Sequence, residues 1–213
     1  MRSIQAVLDD LDGVLAELST AQTDGLGPTA RYDVLERLET ARRRQMAVSH
    51  TVVAGIEQPP GWPAPHIALS DVLRISRAEG RRRVRDAALL TPRRSLTGEP
   101  LPPLLPATAP AWQAGILDRE HLSVIQRFLR ELPAAVGPVE TAKAEQTLAT
   151  HAAALRPDQL QKVAERMALT LNPDGKFTDQ DRARQRGFLW CGGQRPDGMS
   201  TAKLIATPQL RAE

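Results

Sequence analysis

The chain has 213 residues, 41% of them hydrophobic and 25% charged, and a formal net charge of +3. The composition excludes a disordered polymer, and the length holds one domain with a real core, or one domain and part of a second. The mildly basic balance permits contact with nucleic acid without requiring it. Aromatic residues make up only 3%, so the core rests on Leu, Val, Ile and Ala, which favours packed helices over a large sheet. Only Lys143, Lys162, Lys176 and Lys203 are lysines, leaving 24 arginines among the 28 basic residues. GC-rich codon usage explains that excess more readily than phosphate binding does. A single cysteine, Cys191, allows no internal disulfide and no thiolate zinc site of its own. It fits a reducing cytoplasm. The first residues lack the basic start and unbroken apolar run of a signal peptide. No stretch approaches the roughly 20 apolar residues that span a bilayer. The expectation is a cytoplasmic protein with no membrane contact and no cofactor.

In chain order, Ile4, Val7, Leu8, Leu11, Val14, Leu15 and Leu18 predict one face of a helix over about 3–19. Asp24-Gly25-Leu26-Gly27-Pro28 breaks it. A second helix follows from about Thr29 to Ala54, with Leu35, Leu38, Ala41, Val48 and Val52 expected inward and Arg42, Arg43 and Arg44 on the wet side. Glu57 to Pro65 holds four prolines and reads as a loop. Ile67 to Leu90 reads as helix, tight turn, helix. Leu69, Val72 and Leu73 form the first apolar stripe, and Ser76-Arg77-Ala78-Glu79 matches a reciprocal capping box. The second of these helices is expected to bury Gly80, Val84, Ala87 and Ala88. Six prolines between Thr91 and Pro110 allow only a connector with one short helix around 107–114. Asp118 caps a helix through Leu132, Pro138 starts another that ends near Leu155, and Arg156-Pro157-Asp158 opens a third. In that third helix Leu160, Val163, Ala164, Met167 and Leu171 face inward.

The character then changes. Asn172-Pro173-Asp174-Gly175 is a turn, and 178–186 a short charged helix. Phe188 to Cys191 and Met199 to Ile205 read as two strands joined at Arg195-Pro196-Asp197-Gly198. Thr207-Pro208 reads as the start of one more helix, which the six residues after Thr207 leave incomplete. The predicted fold is therefore mainly α, a multi-helix bundle with a small C-terminal β-hairpin. The division falls between a helical domain over 1–175 and a segment over 176–213 that looks like the start of something further. The free edges of that hairpin offer a route to self-association.

Candidate chemistry is sparse. Between Arg74 and Arg94 eight arginines face only Glu79 and Asp86. On a helix Arg81, Arg82 and Arg85 share an arc of about 100°, a stripe suited to lying on phosphates or entering a major groove. Arg74, Arg77, Arg81, Arg82 and Arg85 are the candidate nucleic-acid contacts, and double-stranded DNA, bound weakly and without sequence preference, is the candidate partner. Arginines beside an apolar stripe also lie over cores and pair with acids, which is the competing reading. His50, His66, His121 and His151 have no second His or Cys at helical ligand spacing, so no metal site is expected. Glu120-His121 sits at a helix start, where a capping or packing role outweighs a general base. The glycines between 187 and 198 lack phosphate-loop spacing, and Cys191 beside Trp190 reads as a buried, inert thiol. No catalytic residue is assigned.

Five blocks in order carry a resemblance: Leu73 to Val84 (LRISRAEGRRRV), Leu96 to Pro103 (LTGEPLPP), Arg156 to Leu160 (RPDQL), Asn172 to Gly175 (NPDG) and Gln194 to Met199 (QRPDGM). Together they resemble the actinobacterial domain of unknown function 222, also called the thirteen-E-twelve repeat family, from about residue 30 onward. The resemblance implies a mobile-element-like, DNA-directed setting, because that domain is commonly followed by an HNH nuclease module with its own His-based metal site. No position of this chain matches that module, so the resemblance transfers no catalytic or metal residue. Three functions remain open: a non-catalytic, DNA-associated domain; an inactive partial copy; or a helical protein–protein interaction module.

Overall fold

The computed structural model describes residues 2–95, 97–133, 136–171, 187–191, 198–199 and 201–205. The first helix, α1 (Ile4–Thr20), starts where the Ser3 hydroxyl accepts from the Ala6 N–H at 3.2 Å. It buries none of its residues, and its apolar stripe faces outward. Arg31 holds the following link by donating to the Leu26 and Thr23 carbonyls at 2.9 and 3.1 Å. Helix α2 (Pro28–Ala54) begins with proline in its first turn, where the missing N–H costs nothing.

The inward face of α2 differs from the sequence expectation. Leu35, Leu38, Val48 and Val52 are all exposed, as is Ala41. The buried face instead runs through Ala47 and His50, with Met46 packed beside it. The helix carries two apolar rows, and periodicity alone favoured the row that stays outside.

Helices α3 (Pro65–Leu73) and α4 (Arg77–Leu90) pack on each other, and α4 also packs on α2. Leu69 is buried while Val72 and Leu73 are exposed, so the expected α3 stripe is only partly a core stripe. In α4 the buried set is Gly80, Asp86, Ala87 and Leu90; Val84 is half-buried and Ala88 lies outside. Asp86 tolerates burial because Gln126 donates to its Oδ1 at 2.9 Å. The proline-rich connector forms a minimal antiparallel pair, β1 (Arg93–Arg94) with β2 (Pro100–Leu101), and then α5 (Thr108–Gln113).

Helices α6 (Arg119–Glu131), α7 (Pro138–Ala152) and α8 (Pro157–Leu171) complete the body. Leu122, Ile125, Leu148 and Leu160 are almost fully buried where these helices meet. Leu117, before α6, is fully buried too. His121 is the capping residue that its position suggests. Its Nδ1 accepts from the Asp118 N–H at 3.2 Å, so Nε2 carries the proton and donates to the Leu155 carbonyl at 2.8 Å. Glu145, buried on α7, reaches the start of α5. Its Oε1 accepts from the N–H groups of Ala107 and Thr108 and from the Thr108 hydroxyl at 3.1, 2.9 and 2.8 Å.

The strands β3 (Gly187–Cys191) and β4 (Thr201–Ile205) pair antiparallel, with Phe188 opposite Leu204. The hairpin expected here is present. The turn at 172–175, the helix at 178–186, turn residues 195–197, the helix start at Thr207-Pro208 and the burial of Cys191 lie outside the described residues. No helix among the described residues is long and apolar enough to cross a membrane.

Candidate nucleic-acid interface

Helix α3 ends at Arg74, whose φ of 53° makes it the only non-glycine residue of positive φ among the described residues. This left-handed residue closes the helix, with its own N–H and that of Ile75 both reaching the Ser70 carbonyl. Two residues later the Ser76 hydroxyl accepts from the Glu79 N–H at 3.1 Å and α4 begins. Glu79 does not complete the expected box by reaching back; its carboxylate holds Arg82 and Arg83 instead. The three-residue turn and the close packing of α3 on α4 make a helix-turn-helix arrangement with α4 in the second position. Gly80 permits that packing: a Cβ there would stand 2.5 Å from the His66 carbonyl oxygen and would also collide with the Ser70 hydroxyl.

The five candidate arginines divide into two groups. Arg74 and Arg81 are exposed and make no side-chain hydrogen bond or ion pair among the described residues. Arg85 is exposed, with only a long 3.8 Å approach to Asp86. Arg77 is exposed but engaged, 2.9 Å from Asp71 and donating to the Ile67 carbonyl at 2.6 Å. Arg82 does not share their surface. It turns toward α2 and α6, pairs with Glu79 and is half-buried. Burial, and then the nearby Arg119, lower its pKa from the ordinary guanidinium value.

Arg82 belongs to a second arginine cluster. Glu39 is followed by Arg42 and Arg43 at the same spacing that separates Glu79 from Arg82 and Arg83. On each helix this places two guanidiniums on one carboxylate. Arg42 donates to Glu39 at 2.7 and 2.9 Å and to Asp118 at 3.0 Å, and Arg43 to Glu39 at 3.0 Å. Arg43 also donates to the Ile116 carbonyl and Arg44 to the Ala114 carbonyl. The triplet expected to be a solvated face is thus a set of fasteners tying α2 to the turn between α5 and α6. A cleft of about 240 Å³ opens between these elements, lined by Arg42, Arg43, Glu79, Arg82, Asp118 and Arg119 among others. Beneath it the His50 ring stacks on Trp112, with centroids 5.3 Å apart. Burial pushes the His50 pKa down, with the Asp86 charge opposing. Among the described residues no three His, Cys, Asp or Glu side chains converge as a metal-binding group.

A family model described as a domain of unknown function (DUF222) matches residues 32–213. The chain belongs to the DUF222 family. Similar relatives include the uncharacterized protein Rv1128c of Mycobacterium tuberculosis, 45% identical over 96% of this chain and 48% of the relative. Another is the uncharacterized protein Mb1179c of Mycobacterium bovis, 41% identical over 98% of this chain and 47% of the relative. This DUF222 chain therefore spans about half the length of the curated relatives it matches. No solved structure matches it.

In this DUF222 chain the doubled Glu-x-x-Arg-Arg spacing was the one sequence signal that pointed to the second cluster. The contact of Arg42 with Asp118, 76 residues away, left none. The cluster has a pH signature. Hydrogen bonding by Arg42, with help from Arg43, holds the Glu39 carboxyl down at about 2 against burial. A carboxylate with a depressed folded pKa stabilises fully above its unfolded pKa, and that stability is lost as pH falls through the folded value. Glu39→Gln should therefore melt about 1–3 °C below the parent at neutral pH, a modest shift because the pair is partly exposed. The gap should close between about pH 4.5 and 2. Melting curves followed by circular dichroism across that range check it, and a gap that persists at the acid end contradicts it.

Proposed function

We propose that this chain is a DNA-associated helical domain that lies on the phosphates of double-stranded DNA through the outer face of α4 and does no chemistry on it. The sorting of arginines carries this reading. Arg82 and Arg83 are spent on Glu79, while Arg81 and Arg85 stand exposed on one side of α4 with Arg74 at the turn before it. Ala78 and Ala88 are exposed on the same side and carry no polar group to read a base edge. Contacts of that kind position a protein on a duplex without selecting sequence. For longer family members, the domain would hold DNA for an appended nuclease module of the HNH kind. The exposed apolar face of α1 and α2 favours a second reading, a helical interaction module.

A salt titration tests the first reading. Four phosphate contacts from Arg74, Arg77, Arg81 and Arg85, at about −0.9 each, give a log–log slope of roughly −3 to −4 on any duplex. Replacing Arg81 and Arg85 by Ala should reduce the slope by about 2. A slope unchanged in that variant would place the contacts elsewhere and overturn the assignment. In the same buffer supercoiled plasmid should stay intact with Mg²⁺, Mn²⁺ or Zn²⁺. Metal-dependent nicking that follows the protein peak and is missing from a mock purification would refute the non-catalytic half.

A further inference from the structure

We propose that the β1–β2 ribbon is a second phosphate-contacting element, which extends the DNA surface of α4 through Arg93 and Arg94. The inference rests on the reading of α4 as the DNA-facing helix. The chain passes from the last turn of α4 into the ribbon through only Thr91 and Pro92. Both ends of the ribbon are fastened to that turn. At its entry Thr91 is buried, and its hydroxyl donates to the Ala87 carbonyl at 2.7 Å. Beyond its exit Leu105 is buried, and its N–H donates to the Leu89 carbonyl at 3.0 Å. A ladder this short is marginal by itself. Anchored on α4 at both ends, it keeps a set position relative to Arg81 and Arg85.

The chemistry of the ribbon fits a phosphate backbone. Residues 93–101 hold two arginines and one acid, Glu99. Arg93 and Arg94 are both exposed, and neither is paired with a carboxylate among the described residues. Arg82 and Arg83, by contrast, are spent on Glu79. Each ribbon arginine gives one N–H to the ribbon itself: Arg93 Nε to the Pro102 carbonyl at 3.1 Å, and Arg94 Nη1 to the Gly98 carbonyl at 3.2 Å. A guanidinium carries five N–H donors, so one carbonyl orients it and leaves a fork for a phosphate. Successive strand residues point to opposite faces, so the pair reaches phosphates on both sides of the ribbon. Thr91 lies six residues beyond Arg85, about 9 Å along the helix axis. A duplex carries a phosphate charge about every 1.7 Å, so it offers several within that step.

The four arginines at α4 account for roughly −3 to −4 of the log–log salt slope, and two ribbon contacts at about −0.9 each steepen it to roughly −5 in the full chain. Arg93→Ala with Arg94→Ala should return the slope to roughly −3 to −4 and weaken binding about tenfold at low salt. Arg130→Ala with Arg166→Ala removes the same charge from exposed positions on α6 and α8 and should leave the slope as it was. Glu99→Gln removes the ribbon's one acid and should tighten binding about twofold at low salt. Should the arginine pair disturb folding, Glu99→Gln carries the test, and unchanged affinity there contradicts the proposal. A slope lowered by Arg81→Ala with Arg85→Ala but not by the ribbon pair sinks the ribbon contact and leaves the α4 reading standing. A slope lowered by the ribbon pair alone supports the ribbon contact and refutes the α4 reading. An equal fall in the α6–α8 control makes net charge the cause and overturns the proposal. Absence of DNA binding overturns both.

Discussion

Replacing Glu145 by alanine is expected to cost about 3–5 kcal/mol. One carboxylate oxygen accepts from two backbone N–H groups and one hydroxyl at the start of α5, and Thr108, which supplies two of those donors, is fully buried. The residue before α5, Ala107, has no side chain with which to cap it. Glu145 performs that task from α7, with its negative charge at the end of the helix where the backbone dipole favours an anion. Removing it leaves three donors with no acceptor, two of them on the fully buried Thr108, and the penalty for stranded donors exceeds what the bonds add when made. Glu145→Gln retains a carbonyl oxygen and should lose only about 1–2 kcal/mol. Urea denaturation of the three proteins at neutral pH measures both values. Equal stability of parent and alanine variant would show that the contact holds nothing.

Gly80→Ala should also destabilise, by about 1–3 kcal/mol, although alanine is the better helix former. The new methyl would stand 2.5 Å from the His66 carbonyl oxygen, a backbone atom that no rotamer change can move. Separating α3 from α4 is the only relief. The gain of up to about 1 kcal/mol from replacing glycine in a helix does not offset overpacking on that scale. Because α4 shifts relative to its supports, DNA affinity should fall although Arg81 and Arg85 are unchanged. Thermal melting and the salt titration together check this. A Gly80→Ala variant more stable than its parent would mean that α3 yields easily, and that the α3–α4 geometry is not what holds the arginine face in place.

The reading of α2 shows where pattern recognition stops. Its Leu35, Leu38 and Val52 are more apolar than Ala47 and His50, yet the less apolar residues are the buried ones. A helix with two rows that can pack contains no local instruction about which one the rest of the chain will cover. The same holds for Arg42, Arg43 and Arg44. Their partners at Ala114, Ile116 and Asp118 lie some 70 residues on, and side chains that look solvated in isolation become fasteners once α5 and α6 arrive.

What the sequence alone determined was most of the elements: the helices, with the starts at Ser76, Asp118 and Pro138, and the strand pair that sets Phe188 opposite Leu204, though not the short β1–β2 pair. Those features depend on contacts within three or four residues, or across one turn, and such contacts form wherever the segment goes. Only the tertiary structure decided that Arg82 turns inward while Arg81 and Arg85 remain outside, that Glu145 caps α5, and that the α1 stripe stays uncovered. Each of these depends on which surfaces meet when helices distant in the chain pack. Packing is decided by total buried area and by the pairing of buried polar groups, neither of which any single segment contains.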